Sequence, residues 1–399
     1  MNPTNDPPLI TAPARLHSLD AYRGFVMLLM ASEGLGFTQI ARTFKDSGVW
    51  QFLAYQTDHV AWRGCALWDL IQPSFMFMVG VALPFSLASR QAKGQSFPQM
   101  LRHALGRSLL LVWLGLFLRS VHREQTNFTF EDVLTQIGLG YPLLFLLAWT
   151  KPRTQLVAAL AILFGYWLAF ALYPRPEAGF DYAKVGVPAD WPHLSGFAAH
   201  WDKNTNLAAA FDQWFLNLFP RAKPFVYNGG GYLTLSFIPS LATMIFGLLA
   251  GGWLRGGGQG SQKFWRLAAV GVGCLALGFL LDLTGICPSV KRIWTPAWAI
   301  FSTGWTCLLL AAFYGVIDLK GWRRWSFPLV VVGLNSIAMY CMAHLWEGFI
   351  RDSLKTHLGR HVFETFSAPC APLVERLSIL LVLWLLCWWM YRRKLFLRI

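Results

Sequence analysis

Long apolar runs restrict the fold of this chain more than any other feature. Residues 143–170, for example, are apolar apart from one polar break. A helix that crosses a bilayer needs about 20 apolar residues, since lipid cannot satisfy an open backbone. Only 14% of the 399 residues are charged, against about 25% in soluble domains. The sequence therefore predicts an all-α, polytopic transmembrane bundle.

We expect about ten spans in this bundle, with both termini cytoplasmic. The loops after the second, fourth, sixth, eighth and tenth spans are rich in Lys and Arg, and the positive-inside rule makes such loops cytoplasmic. The net charge of +14 is then explained by orientation in the membrane, so no nucleic-acid partner is expected. The predicted spans are residues 20–40, 67–89, 105–121, 131–149, 154–173, 231–254, 264–284, 294–317, 327–350 and 372–391.

Two stretches outside the predicted spans stand out. Residues 1–17 are polar and rich in proline, which is typical of a disordered cytoplasmic tail. Residues 18–399 then form one transmembrane domain, with a long extracytoplasmic loop at about 174–230. Within that loop, WPHLSGFAAHWDKNTN (191–206) interleaves aromatic and polar side chains. Long loops in compact bundles are usually functional or disordered, so this one is either a sugar-binding lid or an interfacial helix and coil resting on the bilayer.

The segment at the mouth of the second span, DHVAWRGCALWDLIQPSFMFMVG (58–80), holds the strongest candidates for chemistry. His59 lies outside the helix and Asp69 lies near its start. A carboxylate at this depth is costly unless it is paired, and His59 or Arg63 can be its partner. A carboxylate-oriented imidazole can act as a general base, or it can carry an acyl group covalently. His103 and His357 lack such a setting, and we expect their replacement to be nearly silent.

The first span contains three further charged candidates. Asp20 and Arg23 lie three residues apart and share a helix face. They form an interfacial ion pair, or Arg23 receives a phosphate, which suits guanidinium geometry. Glu33 lies deep in the same span, where carboxylates face a bundle interior or a wet cavity.

The ninth span contains a second polar group, in GLNSIAMYCMAHLWEGF (333–349). Asn335 either hydrogen-bonds a neighbouring helix or serves as an oxyanion donor. His344 and Glu347 lie three residues apart on one face near the predicted outer end. NGGG (228–231) can form an amide nest for an anion, but no Lys, Ser or Thr stands at phosphate-loop spacing, which favours a flexible turn.

These segments together resemble the heparan-α-glucosaminide N-acetyltransferase family, polytopic enzymes that move acetyl from cytosolic acetyl-CoA to a sugar across a membrane. RLHSLDAYRG (15–24) is similar to the family's R-L-x-S-x-D-x-x-R-G. HVAWRGCALWDLIQPSFMFMVG (59–80) resembles H-A-x-W-N-G-x-T-x-x-D-L-V-F-P-x-F-x-F-I-x-G. GLLAGGWL (247–254), GLNSIAMYCMAHLWE (333–347) and YRRKLF (391–396) continue the series in the same order.

The resemblance implies a membrane-embedded acyltransferase in which acetyl-CoA is the co-substrate and a sugar or amino sugar outside the cytoplasm is the acceptor. CoA phosphates would bind cytoplasmic Arg and Lys, and the thioester arm would reach through the bundle toward His59. No metal is expected, a homodimer is an arrangement that the resemblance allows, and the expected location is a bacterial inner membrane. The implied catalytic residues are His59, Asp69, Asn335 and His344, and the implied cofactor-binding residues are Asp20, Arg23, Trp62 and Gln136.

The chain also departs from the family pattern. Ser32, Glu33 and Gly34 stand where an Asn is usual, and Arg63 replaces another Asn. VLTQIGLGY (133–141) has Gln136 in place of an Arg. Two other functions therefore stay open: a transporter or flippase with a proton path through Glu33, Asp69 and His59, and a non-catalytic component of an envelope complex.

Overall fold

The fold is all-α, as predicted. The computed structural model describes residues 16–364 and 367–397, and this part of the chain has no β-strand, only an isolated bridge between Arg63 and Val290. The α-helices are α1 His17–Ala31, α2 Phe37–Thr43, α3 Gly48–Gln56, α4 Ile71–Ala92, α5 Phe97–Ser120, α6 Val133–Leu147, α7 Pro152–Leu172, α8 Leu207–Phe215, α9 Phe237–Arg255, α10 Gly260–Leu283, α11 Pro296–Phe313, α12 Phe327–Gly333, α13 Ser336–Leu358 and α14 Ala371–Arg392.

Short helical turns extend or connect these helices. A π-helical turn, Tyr314–Leu319, continues α11. The 3₁₀ turns are Glu33–Gly36, Leu67–Leu70, Tyr182–Val185, Gly196–Trp201, Leu216–Leu218, Thr234–Ser236, Arg324–Ser326, Val362–Glu364 and Ala368–Cys370. The predicted tail, residues 1–17, lies outside the described residues except for Leu16 and His17, where α1 begins.

Length and composition make this a multi-pass membrane protein. Among the described residues, 7 helical segments are long and apolar enough to span a bilayer, or up to 9 if each of two bent helix pairs is one span. The helix α6, at 15 residues, covers the remaining predicted span but is shorter than a membrane crossing requires. The 7 segments are Leu67–Ala92, Phe97–Ser120, Pro152–Leu172, Thr234–Arg255, Gly260–Leu283, Pro296–Leu319 and Ala368–Arg392.

The first predicted span, 20–40, is broken instead of continuous. The helix α1 ends at Ala31, and the chain bends by 43° before α2. Four consecutive residues, 33–36, have φ between 45° and 69°, a left-handed conformation that glycine adopts at low cost. Gly34 and Gly36 supply two of these residues, and the Glu33 carboxylate is held 3.0 Å from Arg376 of α14. Sequence periodicity could not show this bend. The ion pair between Glu33 and Arg376 joins residues that are far apart in the sequence, so it depends on the tertiary structure.

The ninth predicted span, 327–350, is also broken. The chain bends by 67° between Arg324–Gly333 and Ser336–Leu358. At the bend, the Asn335 side chain donates to the carbonyl of Leu395 (3.1 Å) and accepts from the amide of Leu397 (3.1 Å). Asn335 therefore fastens the segment after α14 to the kink.

Two glycines bring α4 and α9 into close contact at the centre of the bundle. A Cβ at Gly80 would lie 1.9 Å from the carbonyl oxygen of Met244, and one at Gly247 would lie 2.0 Å from that of Phe77. Small residues permit such close helix packing in membranes. The contact fixes α4, which follows the turn that carries Asp69.

The loop at 174–230, which we call the cap, is folded onto one end of the bundle. It contains α8 and three 3₁₀ turns. Trp201 is fully buried, stacks with Phe170 of α7 and accepts a hydrogen bond at its carbonyl from Trp62 Nε1 (3.0 Å). The side chain of Asn204 donates to the carbonyls of Val185 (2.9 Å) and Asn228 (3.0 Å). The cap is thus a packed element that covers the end of the bundle where His59 lies.

Candidate active site

His59, Asp69 and Lys291 form a compact cluster beneath the cap. Nδ1 of His59 lies 2.7 Å from Oδ1 of Asp69, and Nζ of Lys291 lies 3.4 Å from the same oxygen and 3.1 Å from Nδ1. The side chains of Asp69 and Lys291 are 1% and 5% exposed, whereas His59 is 33% exposed. A buried charge pair thus supports one accessible imidazole.

The backbone around Asp69 explains its orientation. The 3₁₀ turn Leu67–Leu70 precedes α4, and Oδ2 of Asp69 accepts from the amides of Ala66 (3.1 Å) and Val60 (3.3 Å). Of the two partners that the sequence suggested for Asp69, the structure selects His59. The other, Arg63, donates to Asp282 instead (2.8 Å).

The tautomer of His59 follows from these contacts. Asp69 receives two amide hydrogen bonds and an ammonium contact, which stabilise the ionised carboxylate. An ionised carboxylate can only accept, so Nδ1 of His59 carries the proton. The nitrogen Nε2 then keeps its lone pair, and no hydrogen bond joins it to another residue in the described part of the chain.

The electrostatics favour the neutral imidazole. Burial lowers the pKa of His59 below its usual 6.5, and the charges of Lys291 and Arg292 lower it further, while Asp69 opposes them. Burial also lowers the pKa of Lys291 to about 8, against the stabilising effect of Asp69. At neutral pH the cluster therefore contains a neutral histidine beside a charged lysine.

Lys291 is the residue that sequence reasoning missed. It lies in the loop 284–295 between α10 and α11, on the side of the membrane predicted to be external. Lys291 and Arg292 are adjacent cations in this short loop, whereas the positive-inside rule disfavours cations on that side. This exception to the rule was the signal that could have identified the pair.

Aromatic rings and the glycine-rich turn form the walls around His59. The rings of Tyr232 and Trp68 lie edge-on at 6.2 and 6.5 Å from the imidazole. Oδ1 of Asn228 accepts from the amides of Gly230 (2.8 Å) and Tyr232 (3.3 Å). The carbonyl of Asn228 also accepts from the amide of Gly231 (2.9 Å). The amides of Gly230 and Gly231 are thus used within the turn, which favours the simple turn over an anion nest.

Two cavities lie toward opposite ends of the bundle. The first, which we call the histidine cavity, has a volume of about 460 Å³, and the second, the basic cavity, has about 630 Å³. Phe75, Val133 and Tyr340 line both. The charged and histidine side chains of the histidine cavity are His59, Arg119, Glu131, Asp132, Lys291 and His344, and those of the basic cavity are Asp20, Arg23, Arg90, Lys93, His103 and Arg107.

The structure separates the predicted catalytic residues. His344 joins His59 and Asp69 at the histidine cavity, where its Nδ1 donates to the carbonyl of Tyr340 (2.9 Å). Glu347 is not its partner, because Glu347 pairs with Arg376. Asn335 lines neither cavity, and both polar atoms of its amide bind the segment at 395–397. The structure therefore gives no geometric support for Asn335 as an oxyanion donor beside His59.

The predicted cofactor-binding residues are also divided. Asp20 and Arg23 pair at 3.5 Å and line the basic cavity. Gln136 is buried and accepts from Gln72 (3.0 Å), which lines the histidine cavity. Trp62 is buried under the cap and contacts Trp191, so it belongs to the histidine end and not with Arg23.

Together the fold and the site define a multi-pass helical membrane protein with a histidine–aspartate–lysine cluster toward one end and an arginine-lined cavity toward the other. A model of the heparan-α-glucosaminide N-acetyltransferase catalytic region matches residues 15–182. The human and mouse proteins of that name are each 23% identical to this chain, over 98% and 96% of its length, respectively. The chain spans only 61% and 60% of the length of these two relatives.

Proposed function

We propose that this protein is a membrane-embedded acyltransferase that moves an acetyl group from acetyl-CoA at the basic cavity to a sugar acceptor at the histidine cavity. The observation that carries the proposal is the adjacency of the two cavities, which share Phe75, Val133 and Tyr340. An acyl group on a flexible arm can cross between cavities that share a wall. An amino-sugar acceptor and N-acetylation are extended to this chain from the names of the two relatives.

The basic cavity has the chemistry to hold the donor. Arg23, Arg90, Lys93 and Arg107 line it, and guanidinium groups bind phosphate through charge-assisted hydrogen bonds. Arg107 donates to Tyr141 Oη (3.2 Å) and Arg90 to Gln95 (3.1 Å). Among the described residues, Arg90 and Arg107 therefore have neutral partners where a carboxylate would compensate their charge, which favours an anionic ligand.

In the proposed reaction, Nε2 of His59 takes a proton from the amine or hydroxyl of the acceptor as that group attacks the thioester carbonyl. The new carbon–nitrogen or carbon–oxygen bond forms, the carbon–sulfur bond breaks, and His59 returns the proton to the departing thiolate. In the covalent variant, Nε2 itself attacks the thioester carbonyl, and the carbon–sulfur bond breaks to release the CoA thiolate. The acceptor then attacks the acetyl group, the bond from the acetyl carbon to Nε2 breaks, and the proton lost by the acceptor goes to the thiolate. Both routes require the Nδ1-protonated tautomer, so both use Asp69 in the same way.

The contacts favour this function over a proton-coupled transporter. A proton path would connect Glu33 with Asp69 and His59. Glu33 instead pairs with Arg376 at 3.0 Å, whereas Asp69 pairs with His59 and Lys291. The cytoplasmic orientation of the basic cavity, the bacterial inner membrane and a homodimer remain predictions from the sequence.

The direct test uses purified protein in nanodiscs. Acetyl-CoA should raise the melting temperature, and mass spectrometry should detect an acetylated product with a glucosamine-terminated oligosaccharide. CoA lacking the acetyl group should stabilise the protein but give no product. Absence of both acetyl-CoA stabilisation and product would favour the transporter or the non-catalytic role.

A further inference from the structure

Lys291 is held beside His59 by a network that reaches back to α10. Asp282, near the end of α10, accepts from Arg63 Nε (2.8 Å) and from the amide of Ser289 (2.7 Å) through the same oxygen. The amide of Gly64 in turn donates to the carbonyl of Ser289 (3.2 Å). These contacts fasten the loop 284–295 to the segment that carries His59. They also give a structural role to Arg63, one of the residues that depart from the family pattern.

The ammonium of Lys291 completes the set of donors around Asp69. Oδ1 of Asp69 contacts His59 and Lys291, and Oδ2 accepts from the amides of Val60 and Ala66. Both carboxylate oxygens are therefore occupied. Because Nζ also lies 3.1 Å from Nδ1, a second proton on the imidazole would place two positive charges in contact.

We propose that Lys291 is a positioning residue, whose ammonium holds Asp69 as the acceptor for Nδ1–H and so keeps Nε2 of His59 free for chemistry. This inference rests on the proposed function for the use of Nε2. It does not depend on the identity of the donor or of the acceptor. It also explains why a lysine is buried at an end of the bundle that the positive-inside rule predicts to be external.

The other charged groups around the cluster support this assignment. Asp58 binds the amide of His59 (2.7 Å), and Arg292 donates to the carbonyls of Gly230 and Val60 (3.2 Å for the latter). Neither group contacts Nδ1. Burial first, and then Lys291 and Arg292, lower the pKa of His59, while Asp69 raises it. The thiol of Cys65 adds only a neutral neighbour, because burial raises its pKa to about 12.

The test measures the protonation of His59 without any substrate. Diethyl pyrocarbonate modifies the neutral imidazole, so the pH dependence of modification of the peptide containing His59, followed by mass spectrometry, gives a midpoint. In wild type this midpoint should lie below 6.5. In Lys291→Met it should rise by roughly one pH unit, the effect of losing one nearby like charge, and Lys291→Arg should largely restore it.

Two further variants serve as a control and as a second way to displace Lys291. Lys203→Met removes a lysine that is equally buried, at 5% exposed, but contacts Trp191 and not His59; its midpoint should equal that of wild type. Arg63→Gln releases the loop and should raise the midpoint even if Lys291→Met does not fold. Wild-type midpoints in folded Lys291→Met and Arg63→Gln would overturn the proposal. Lack of acetyl transfer by wild type would instead refute the proposed function and leave the midpoints interpretable.

Discussion

The two ends of the bundle use charge in different ways. At the histidine cavity, the buried Asp69 contacts four donors, and His59 is the more accessible member of the cluster. At the basic cavity, several cations surround a larger space, and Arg90 and Arg107 have neutral partners. Because both oxygens of Asp69 have partners, the proton on His59 is held at Nδ1. The cations of the basic cavity can instead attract an anion without fixing it in a single orientation. The difference fits proton transfer at one end and phosphate binding at the other.

The largest effect should come from removing the imidazole. His59→Ala should lower the rate of acetyl transfer by about 10²–10⁴-fold, the typical loss for a general base. Acetyl-CoA binding should be unchanged, because His59 does not line the basic cavity. Steady-state rates and calorimetry measure the two quantities. His357→Ala, an exposed histidine in α13, is the matched control, and equal rates for both variants would remove His59 from the mechanism.

A smaller effect should follow from a change at the opposite end. Arg107→Gln should raise the KM for acetyl-CoA by about 10–100-fold, since a hydrogen bond to a charged group contributes roughly 1.5–3 kcal/mol, and should leave kcat nearly unchanged. Higher salt should weaken wild-type binding in the same direction. Arg102→Gln removes an exposed arginine of the same helix that does not line the cavity, so its KM should stay at the wild-type value. A loss confined to kcat in Arg107→Gln would contradict the phosphate-binding role.

The smallest effect should be the pH dependence of kcat/KM. The rate should fall on the acid side below pH 6.5, because protonation of His59, whose pKa is lowered by burial, removes the free Nε2. It should fall again on the alkaline side near pH 8, where Lys291 loses its charge. Between these limits the rate should be nearly constant. An acid limb above pH 6.5 would show that His59 is not held in the neutral form.

The same contrast explains what the sequence could reveal. Apolar runs predict membrane helices because their length is set by the bilayer, and adjacent polar motifs such as that from His59 to Asp69 predict a pair that is close in sequence. The histidine end was therefore partly readable. Lys291 was not, since it reaches Asp69 only through the fold of the loop 284–295.

Other differences have a similar cause. The bends at Glu33 and Asn335 depend on partners in α14 and the segment after it, which no local pattern specifies. Trp62 lies in the same motif as His59, but motif order alone could not show that its side chain binds the cap and does not reach the donor cavity. His103 was expected to be inert because it lacks a setting like that of His59, yet it lines the basic cavity. Local sequence predicted the helices. The tertiary structure was needed to assign side chains to the histidine cavity or to the basic cavity.

Transfer of acetyl across the bundle is the central claim, and a sided assay in proteoliposomes tests it most directly. Acetyl-CoA would be supplied only on the side of the basic cavity, the glucosamine-terminated oligosaccharide only on the side of His59, and product measured by mass spectrometry in each compartment. We predict acetylated oligosaccharide on the side of His59 and free CoA on the other side. Product that forms only when both substrates are present on the same side would contradict transfer between the two cavities.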